Sequence, residues 1–499
     1  MSKKRSIKIE ENMRIKKSLL LLIIIISLFA CKKDLLDNNI SGKLKFSNDT
    51  IIFDTSFHSI GTPTKILTVY NQNNFNITTN VLLSSSNNGV FRMNIDGEPV
   101  ENQKEIEIAS NDSIFIFLEA TANINLNNEF LLTSNIEFIS GNNNQTIQLV
   151  VPGRNANFHL PNDNFFFDGT DSINFKYYSI SENEIWTNNL PHVVYGYIVI
   201  EPEAILTIEE GTEIYFHNNS GIFVGNPILS NQNSQLNNNG TLIVNGSLNN
   251  KVIFRNDRLD SWYENIPGQW NGIHFVQGSI NNIINHAIIS NSINGIRADS
   301  VSNNNPTVEI NNTIIKNISN IGILGQGATI NATNTLITKC GQYSVACNIG
   351  GNYTFTHCTF ANYWDYNRRT TPTILLNNYY NSIDGTTYIR DLEKANFKNC
   401  IIDGPLTTEI SLQSQEIGLF NYTFDHCIIK IDPNIETQNS NYINSIFNED
   451  VKFIDVSEDD FHLKNNSPAV NTADLSTILI DLDGVQRNIP DIGAYEFID

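Results

Sequence analysis

Three histidines, His286, His357 and His426, recur in one phrase of the chain, a polar residue followed by a small one and then an apolar pair or near-pair. Recurring imidazoles suggest metal binding or acid–base work. The same column also holds Asn312, Asn334 and Asn399, and an Asn/His column at a chain corner hydrogen-bonds neighbouring backbone more naturally than it holds an ion. The histidines also fall in separate repeats, too far apart to meet at one metal. No Cys-x-x-Cys pair is present, which argues against zinc. The expectation is a structural ladder, with no metal and no cofactor.

Two stretches carry a different chemistry. Residues 255–268 contain Asp257, Arg258, Asp260, Trp262, Tyr263 and Glu264. The long step between His357 and Asn399 contains Tyr363, Trp364, Asp365 and Tyr366, then Arg368 and Arg369, then Tyr379 and Tyr380. Ring faces stack on the C–H faces of sugars while carboxylates and guanidinium groups satisfy hydroxyls. Trp262, Tyr263, Tyr363, Trp364, Tyr366, Arg368 and Arg369 are therefore the candidate ligand-binding residues. The competing reading is that these aromatics tuck their loops onto the scaffold. No catalytic residue is assigned: a hydrolase needs two carboxylates facing a cleft at a defined separation, and no such pair is recognisable.

The elements that must position these residues are short strands. From one His or Asn of the column to the next the steps are 26, 22, 23, 42 and 27 residues, so a unit of about two dozen residues repeats with one large insertion. Stretches such as Tyr197-Ile198-Val199-Ile200 and Gly221-Ile222-Phe223-Val224 are too short for helices and rich in Ile and Val, as strands are. The next column holds Cys358, Cys400 and Cys427 where other repeats place Ala or Thr, so these thiols are expected inside the body. A Cys340–Cys347 bridge stays open on spacing alone. Between Phe46 and Val151, period-two alternation recurs every ten to twenty residues, which predicts a β-sandwich of about seven strands.

The phrases Glu209-Glu210-Gly211-Thr212-Glu213-Ile214, Gly240-Thr241-Leu242-Ile243-Val244 and Trp270-Asn271-Gly272-Ile273-His274-Phe275 resemble the opening coils of right-handed parallel β-helix proteins of the pectin-lyase-like fold. The resemblance covers roughly residues 180 to 470, and the first domain resembles immunoglobulin-like modules. Lyases of that fold use an acidic calcium cluster with an arginine base, and its hydrolases use close Asp residues with a Gly-His-Gly motif. Neither set is found here. Arg297, in Gly295-Ile296-Arg297-Ala298-Asp299, is the best isolated candidate for a lyase base, but an exposed Arg-Asp pair is usually a solvated surface pair. The tail, with Asp483 and Asp491 beside glycines, resembles the final segment of secreted β-helix proteins and is expected to cap the last coil.

The N-terminus has a basic n-region from Lys3 to Lys17, an apolar run from Leu19 to Ile26 and the sequence Leu28-Phe29-Ala30-Cys31. This pattern describes a secretory signal, and the last four residues resemble the lipobox of bacterial lipoproteins, which implies lipidation of Cys31. A single Lys33-Asp34 resembles part of the surface-export tag of Bacteroidota lipoproteins. Removing residues 1–30 takes away seven basic and two acidic residues from totals of 31 and 52, leaving 24 against 50, a net charge of −26. Such a chain is a poor electrostatic ligand for nucleic acid or anionic lipid.

The sequence thus predicts an all-β chain: a lipoprotein signal peptide over 1–30, a tether over 31–43, an immunoglobulin-like β-sandwich over 44–152, a linker over 153–178, a right-handed parallel β-helix over 179–470 and a C-terminal cap over 471–499. The expected role is an outer-membrane lipoprotein, periplasmic or surface-exposed, that binds a polysaccharide or surface glycan, or another surface partner, without catalysis. The alternatives are a polysaccharide lyase or glycoside hydrolase of the pectin-lyase-like fold and a structural spacer. Its partners are the membrane, through lipidated Cys31, and a glycan, with no nucleic acid.

Overall fold

A computed structural model describes residues 42–498 apart from 55, 58–60, 85–88, 122–130, 168–172, 229–237, 261 and 300–305. The expected signal peptide, Cys31 and most of the tether lie outside the described residues. No helix among the described residues is long and apolar enough to cross a membrane. The chain is all-β and divides into two compact units, one ending at Arg154 and one beginning at Asn155.

The first unit holds two sheets, one of five strands and one of six, more than the seven strands expected. Strand Lys65–Tyr70 shows why it folds so: Leu67 and Val69 point inward and are fully buried, while Ile66, Thr68 and Tyr70 alternate outward. Both sheets feed one core, which joins Leu67, Ile95 and Ile116 of the first sheet to Val81, Phe138 and Leu149 of the second.

The second unit is built from three large sheets of eleven, ten and ten strands, termed A, B and C. The chain visits them in rotation, C then A then B, so through most of the unit each strand hydrogen-bonds to the next strand of its own sheet, one circuit on. Glu184–Trp186 of sheet C pairs in parallel with Ile205–Glu209, and His192–Val194 of sheet A with Glu213–Phe216. Apart from Asp163–Phe167, which lies antiparallel at the edge of sheet B, every pairing in the three sheets is parallel. Residues 153–178, expected as a linker, contribute strands Asn157–His159 and Asp163–Phe167 and the start of Ile173–Ile180. Their Asn- and Asp-rich spacing masked strands whose pairing is set by the circuit that follows.

Register stacks like on like through the interior. In sheet B, Ile198, Ile222, Ile273, Ile296 and Ile323 align and are buried. In sheet C the rings of Phe355, Phe397 and Phe424 stack at 4.8 and 4.9 Å, about the strand spacing, so the column is continuous. Cys358, Cys400 and Cys427 are buried in consecutive circuits, and their thiols donate to backbone carbonyls, Cys427 to Phe397 O at 3.4 Å among them. Cys340 and Cys347 are likewise buried and unbridged.

The Asn/His column has a conformational cause. His286, Asn312, Asn334, His357, Asn399 and His426 occupy the C-to-A corner with φ between 44° and 55°, the left-handed region where Asn and His are over-represented among non-glycine residues. Each turns the chain sharply, and the side chains then bridge circuits: Asn334 Nδ2 donates to Asn312 Oδ1 at 3.1 Å, and Asn399 Nδ2 lies 2.9 Å from His357 Nε2.

The tail does not lie where a terminal cap would. It runs back along this corner, Asp474 N donating to Asn399 Oδ1, Ser476 Oγ meeting His357 Nε2 at 3.0 Å and Asn334 Nδ2 donating to Ile480 O at 2.7 Å. Leu482, Ile492 and Ala494 pack with Leu336, Ala361 and Ile401 on the outer side of sheet A. The reason is chemical: the corner's amides already present donors and acceptors, and the sheet's outer Leu and Ile need cover. At the final circuit the strands of sheets A and C shrink to two residues, Ile446–Phe447 and Tyr442–Ile443, which leaves little edge to protect.

Candidate functional site

Sheet A is covered by the tail on its outer side, and sheet C presents mostly Thr, Asn and charged side chains there. Sheet B differs. Its outward row aligns Phe223, His274 and Arg297, with Tyr197 beside Phe223 at 4.9 Å between ring centroids and Phe223 beside His274 at 5.1 Å. Asp299 ties the row together. It accepts from Arg297 Nε and Nη2 at 2.9 Å each and meets His274 Nε2 at 2.7 Å. Burial opposes ionisation of Asp299, but the His274 and Arg297 bonds outweigh it and hold the carboxyl below its ordinary range. Arg297 also donates to Gln326 Oε1 at 2.9 Å. It is thus a paired cation in a three-residue cluster, richer than the isolated pair expected and poorly set up to act as a base.

The two aromatic loops both spring from the A-to-B corner. Three intervening circuits make that corner with short turns, residues 291–295, 319–322 and 341–344, whereas residues 257–272 and 362–373 form long loops on either side of them. Trp270 roots the first loop: its ring stacks on Phe216 at 4.0 Å and its Nε1 donates to Ser290 O at 2.8 Å. Gln269 Nε2 holds the Tyr263 and Ile266 carbonyls, and Asn291 Nδ2 holds that of Glu264. The Arg258 guanidinium lies 3.8 Å above the Tyr263 ring and pairs with Asp260.

Arg369 roots the second loop. It is buried with a bidentate contact to Glu409, 2.9 and 2.8 Å, and Glu409 further accepts from Thr373 and from Leu406 N. The loops then meet, because Tyr366 Oη donates to the carbonyl of Asn265.

The seven sequence-predicted residues therefore separate by burial. Trp262 is 76% exposed, Tyr366 is 44% exposed and Arg368 is exposed, so these three face solvent. Tyr263 is half-buried under Arg258. Tyr363, Trp364 and Arg369 are corrected from ligand contacts to anchors. Tyr363 donates to Asp403 Oδ2 at 2.6 Å, Trp364 is buried with Nε1 on Asn367 Oδ1 at 3.0 Å, and Arg369 is spent on Glu409. The reason is that a protruding loop must be tethered before it can present anything, and its first residues supply the tether. Beneath the loop, Lys339 bridges Asp459 at 2.8 Å and Asp365 at 3.5 Å.

The 42-residue step also divides between two corners. After strand Ile374–Asn377 the chain leaves again, forming the hairpin Tyr379–Asn381 and Thr387–Ile389 at the B-to-C corner. There Arg390, Asp391 and Glu393 edge a groove of about 420 Å³ that the sequence did not signal.

One set of ligand-type groups gathers elsewhere: Asp425, His426 and Asp474. Lys398 Nζ lies 2.6 Å from Asp474, and both ring nitrogens of His426 are engaged, Nδ1 by Asp425 and Nε2 by Asn444. That arrangement is a hydrogen-bonded ion-pair network fastening the tail, its groups already engaged with one another.

No protein-family model matches the chain, and no curated protein matches it. Among solved structures, the PapD-like domain 7 of human CEP192 is 12% identical over 25% of this chain and 93% of its own, with a TM-score of 0.16. A family 123 glycoside hydrolase from Clostridium perfringens, described for glycolipid glycan hydrolysis, is 12% identical over 28% of this chain and 26% of its own, with a TM-score of 0.18. Neither likeness is close enough to inform the site.

Proposed function

We propose that this chain is a glycan-binding lipoprotein of a bacterial outer membrane, anchored through lipidated Cys31 and acting without catalysis. Its second unit is a right-handed parallel β-helix of the pectin-lyase-like type, and its first an immunoglobulin-like sandwich. The order Leu28-Phe29-Ala30-Cys31 after a basic and then apolar leader supports the anchor, and the three-sheet rotation supports the helix. The observation that carries the binding reading is the exposed pair Trp262 and Tyr366. Two loops distant in sequence, joined by the Tyr366–Asn265 bond, raise these rings at one corner. Trp262 presents most of its ring to solvent, Tyr366 keeps an exposed face although its ring also meets Trp364, and ring faces suit the C–H faces of sugars. The strongly acidic chain suits neutral or cationic glycans. A glycan array probed with the purified full-length protein and with its Trp262→Ala/Tyr366→Ala variant tests this. Signals that vanish in the variant support it, and identical profiles refute it.

A second reading, cleavage of a polysaccharide, draws on His274, whose imidazole is held by Asp299 as a general base is held by its orienting carboxylate. Reducing-end or unsaturated-sugar release that is lost in His274→Ala would establish it. Binding is preferred, since no second free carboxylate faces His274 across a cleft among the described contacts.

A further inference from the structure

The B-to-C corner changes length abruptly. Two consecutive circuits turn it in two residues each, 327–328 and 349–350, the next takes residues 378–391 and the one after takes 414–419. The long excursion therefore overhangs the short turns and leaves the groove of about 420 Å³ between them, a volume suited to a small molecule.

The groove is built rather than incidental. Its floor is flat because Gly327 and Gly351 sit there with φ of 66° and 117°, and a Cβ on Gly351 would come within 2.6 Å of Ala328 O. Ile349 lines it with φ of 58°, a conformation that a β-branched residue resists, and Asn377 Oδ1 holds it there by accepting from Ile349 N at 2.9 Å. Its walls are knitted by Asn378, fully buried, which accepts from Gln415 N at 2.8 Å and donates to the carbonyls of Gln415, Gly418 and Leu419.

Three charged groups edge this frame. The Arg390 guanidinium and the Glu393 carboxylate have no ion-pair or side-chain hydrogen-bond partner among the described residues. Asp391 uses Oδ1 to accept from Leu419 N at 2.8 Å and keeps Oδ2 open. Ile349, Ile389 and Ile417 supply an apolar wall, Ile417 at 91% exposure. One cation beside two anions offers partners of both signs, and a ligand that carries both charges satisfies more of them than one bearing a single charge.

We propose that this groove binds a small zwitterion, a carboxylate and an ammonium on a short aliphatic frame, of which a branched-chain amino acid is the simplest case. The ligand's carboxylate meets Arg390, its ammonium meets Asp391 Oδ2 and Glu393, and its aliphatic part lies on the isoleucines. This site is separate from the aromatic loops and does not depend on glycan binding.

Calorimetric titration of the full-length protein with L-leucine tests the proposal, with pentanoate and pentylamine as probes bearing one charge each. L-leucine binds at least ~10-fold more tightly than either probe, and Arg390→Ala and Glu393→Gln each weaken it by ~10-fold or more. Both side chains are exposed, so thermal unfolding of the variants stays at the parent temperature and separates lost binding from lost fold. Absence of leucine binding, equal affinity for pentanoate or for pentylamine, or leucine affinity untouched by both substitutions would each overturn it.

Discussion

Tyr366 donates its phenolic hydroxyl to the backbone carbonyl of Asn265, 101 residues earlier in the chain, and this one bond joins the two loops that carry the exposed rings. Removing the hydroxyl while keeping the ring isolates its contribution. Tyr366→Phe should lower global stability by only about 1 kcal/mol, because the bond lies near solvent. Amide exchange in residues 257–268 should accelerate much more than elsewhere, as the loop loses one of its few ties. Unchanged exchange there would show that Trp270, Gln269 and Asn291 hold the loop without this bond.

Arg369 and Glu409 are both buried, and their bidentate contact is surrounded by donors from Thr373 and Leu406. Deleting one partner strands the other's charge in the interior. Arg369→Ala is expected to cost about 3–5 kcal/mol in denaturant unfolding, whereas Arg368→Ala, on an exposed neighbour, should cost less than about 0.5 kcal/mol. Similar losses for the two would contradict the assignment of Arg369 as an anchor.

The repeat, the alternating sandwich strands and the buried cysteines were legible in the sequence because each follows from local periodicity. The Asn/His column was legible as scaffold, but its cause was not, since positive φ leaves no mark except a preference for Asn, His and Gly. The two loops were visible as breaks in the rhythm. Which of their residues would be exposed was not, because Arg369 finds Glu409 and Tyr363 finds Asp403 only after an intervening circuit is laid down. Likewise the groove at Arg390 is made by unequal corner lengths in neighbouring circuits, a relation between segments that no single motif contains.

His357 is fully buried in that column, and burial, with Arg487 nearby, pushes its pKa down to about 3. The unfolded chain takes up a proton near pH 6.5 and the folded one does not until about pH 3, so stability falls as pH drops from 6.5 toward 3. His357→Asn keeps a residue at home in the left-handed region. It should cost about 1 kcal/mol at pH 7.5, through the lost Ser476 contact, and should flatten the acid loss by on the order of 3 kcal/mol. His159, also near 3 through burial, titrates in the same window and contributes to the loss that remains. An acid profile identical to the parent's would contradict this.

His462 shifts the other way. Bonds to Asp483 at 2.7 Å and Asp460 at 2.6 Å raise its pKa to about 9, against the pull of burial, and so clip the tail to the hairpin Phe453–Asp455 and Asp460–Leu463. The stabilisation is complete below pH 6.5 and lost as pH rises through 9. Exchange of tail amides around residues 481–487 should quicken between pH 8 and pH 10 beyond the intrinsic rate, and His462→Gln should abolish that extra rise. A tail insensitive to pH in the parent protein would remove the clip from the account.

The most direct test of the central claim is calorimetric titration of the best array glycan into the full-length protein, its Trp262→Ala/Tyr366→Ala variant and a Trp364→Phe control. Exposed rings that stack on sugar predict a loss of ~10-fold or more in affinity for the double variant and parent affinity for the control, in which a buried anchor is kept aromatic. Equal affinities for parent and double variant would place glycan binding elsewhere on the molecule and contradict the reading of this corner.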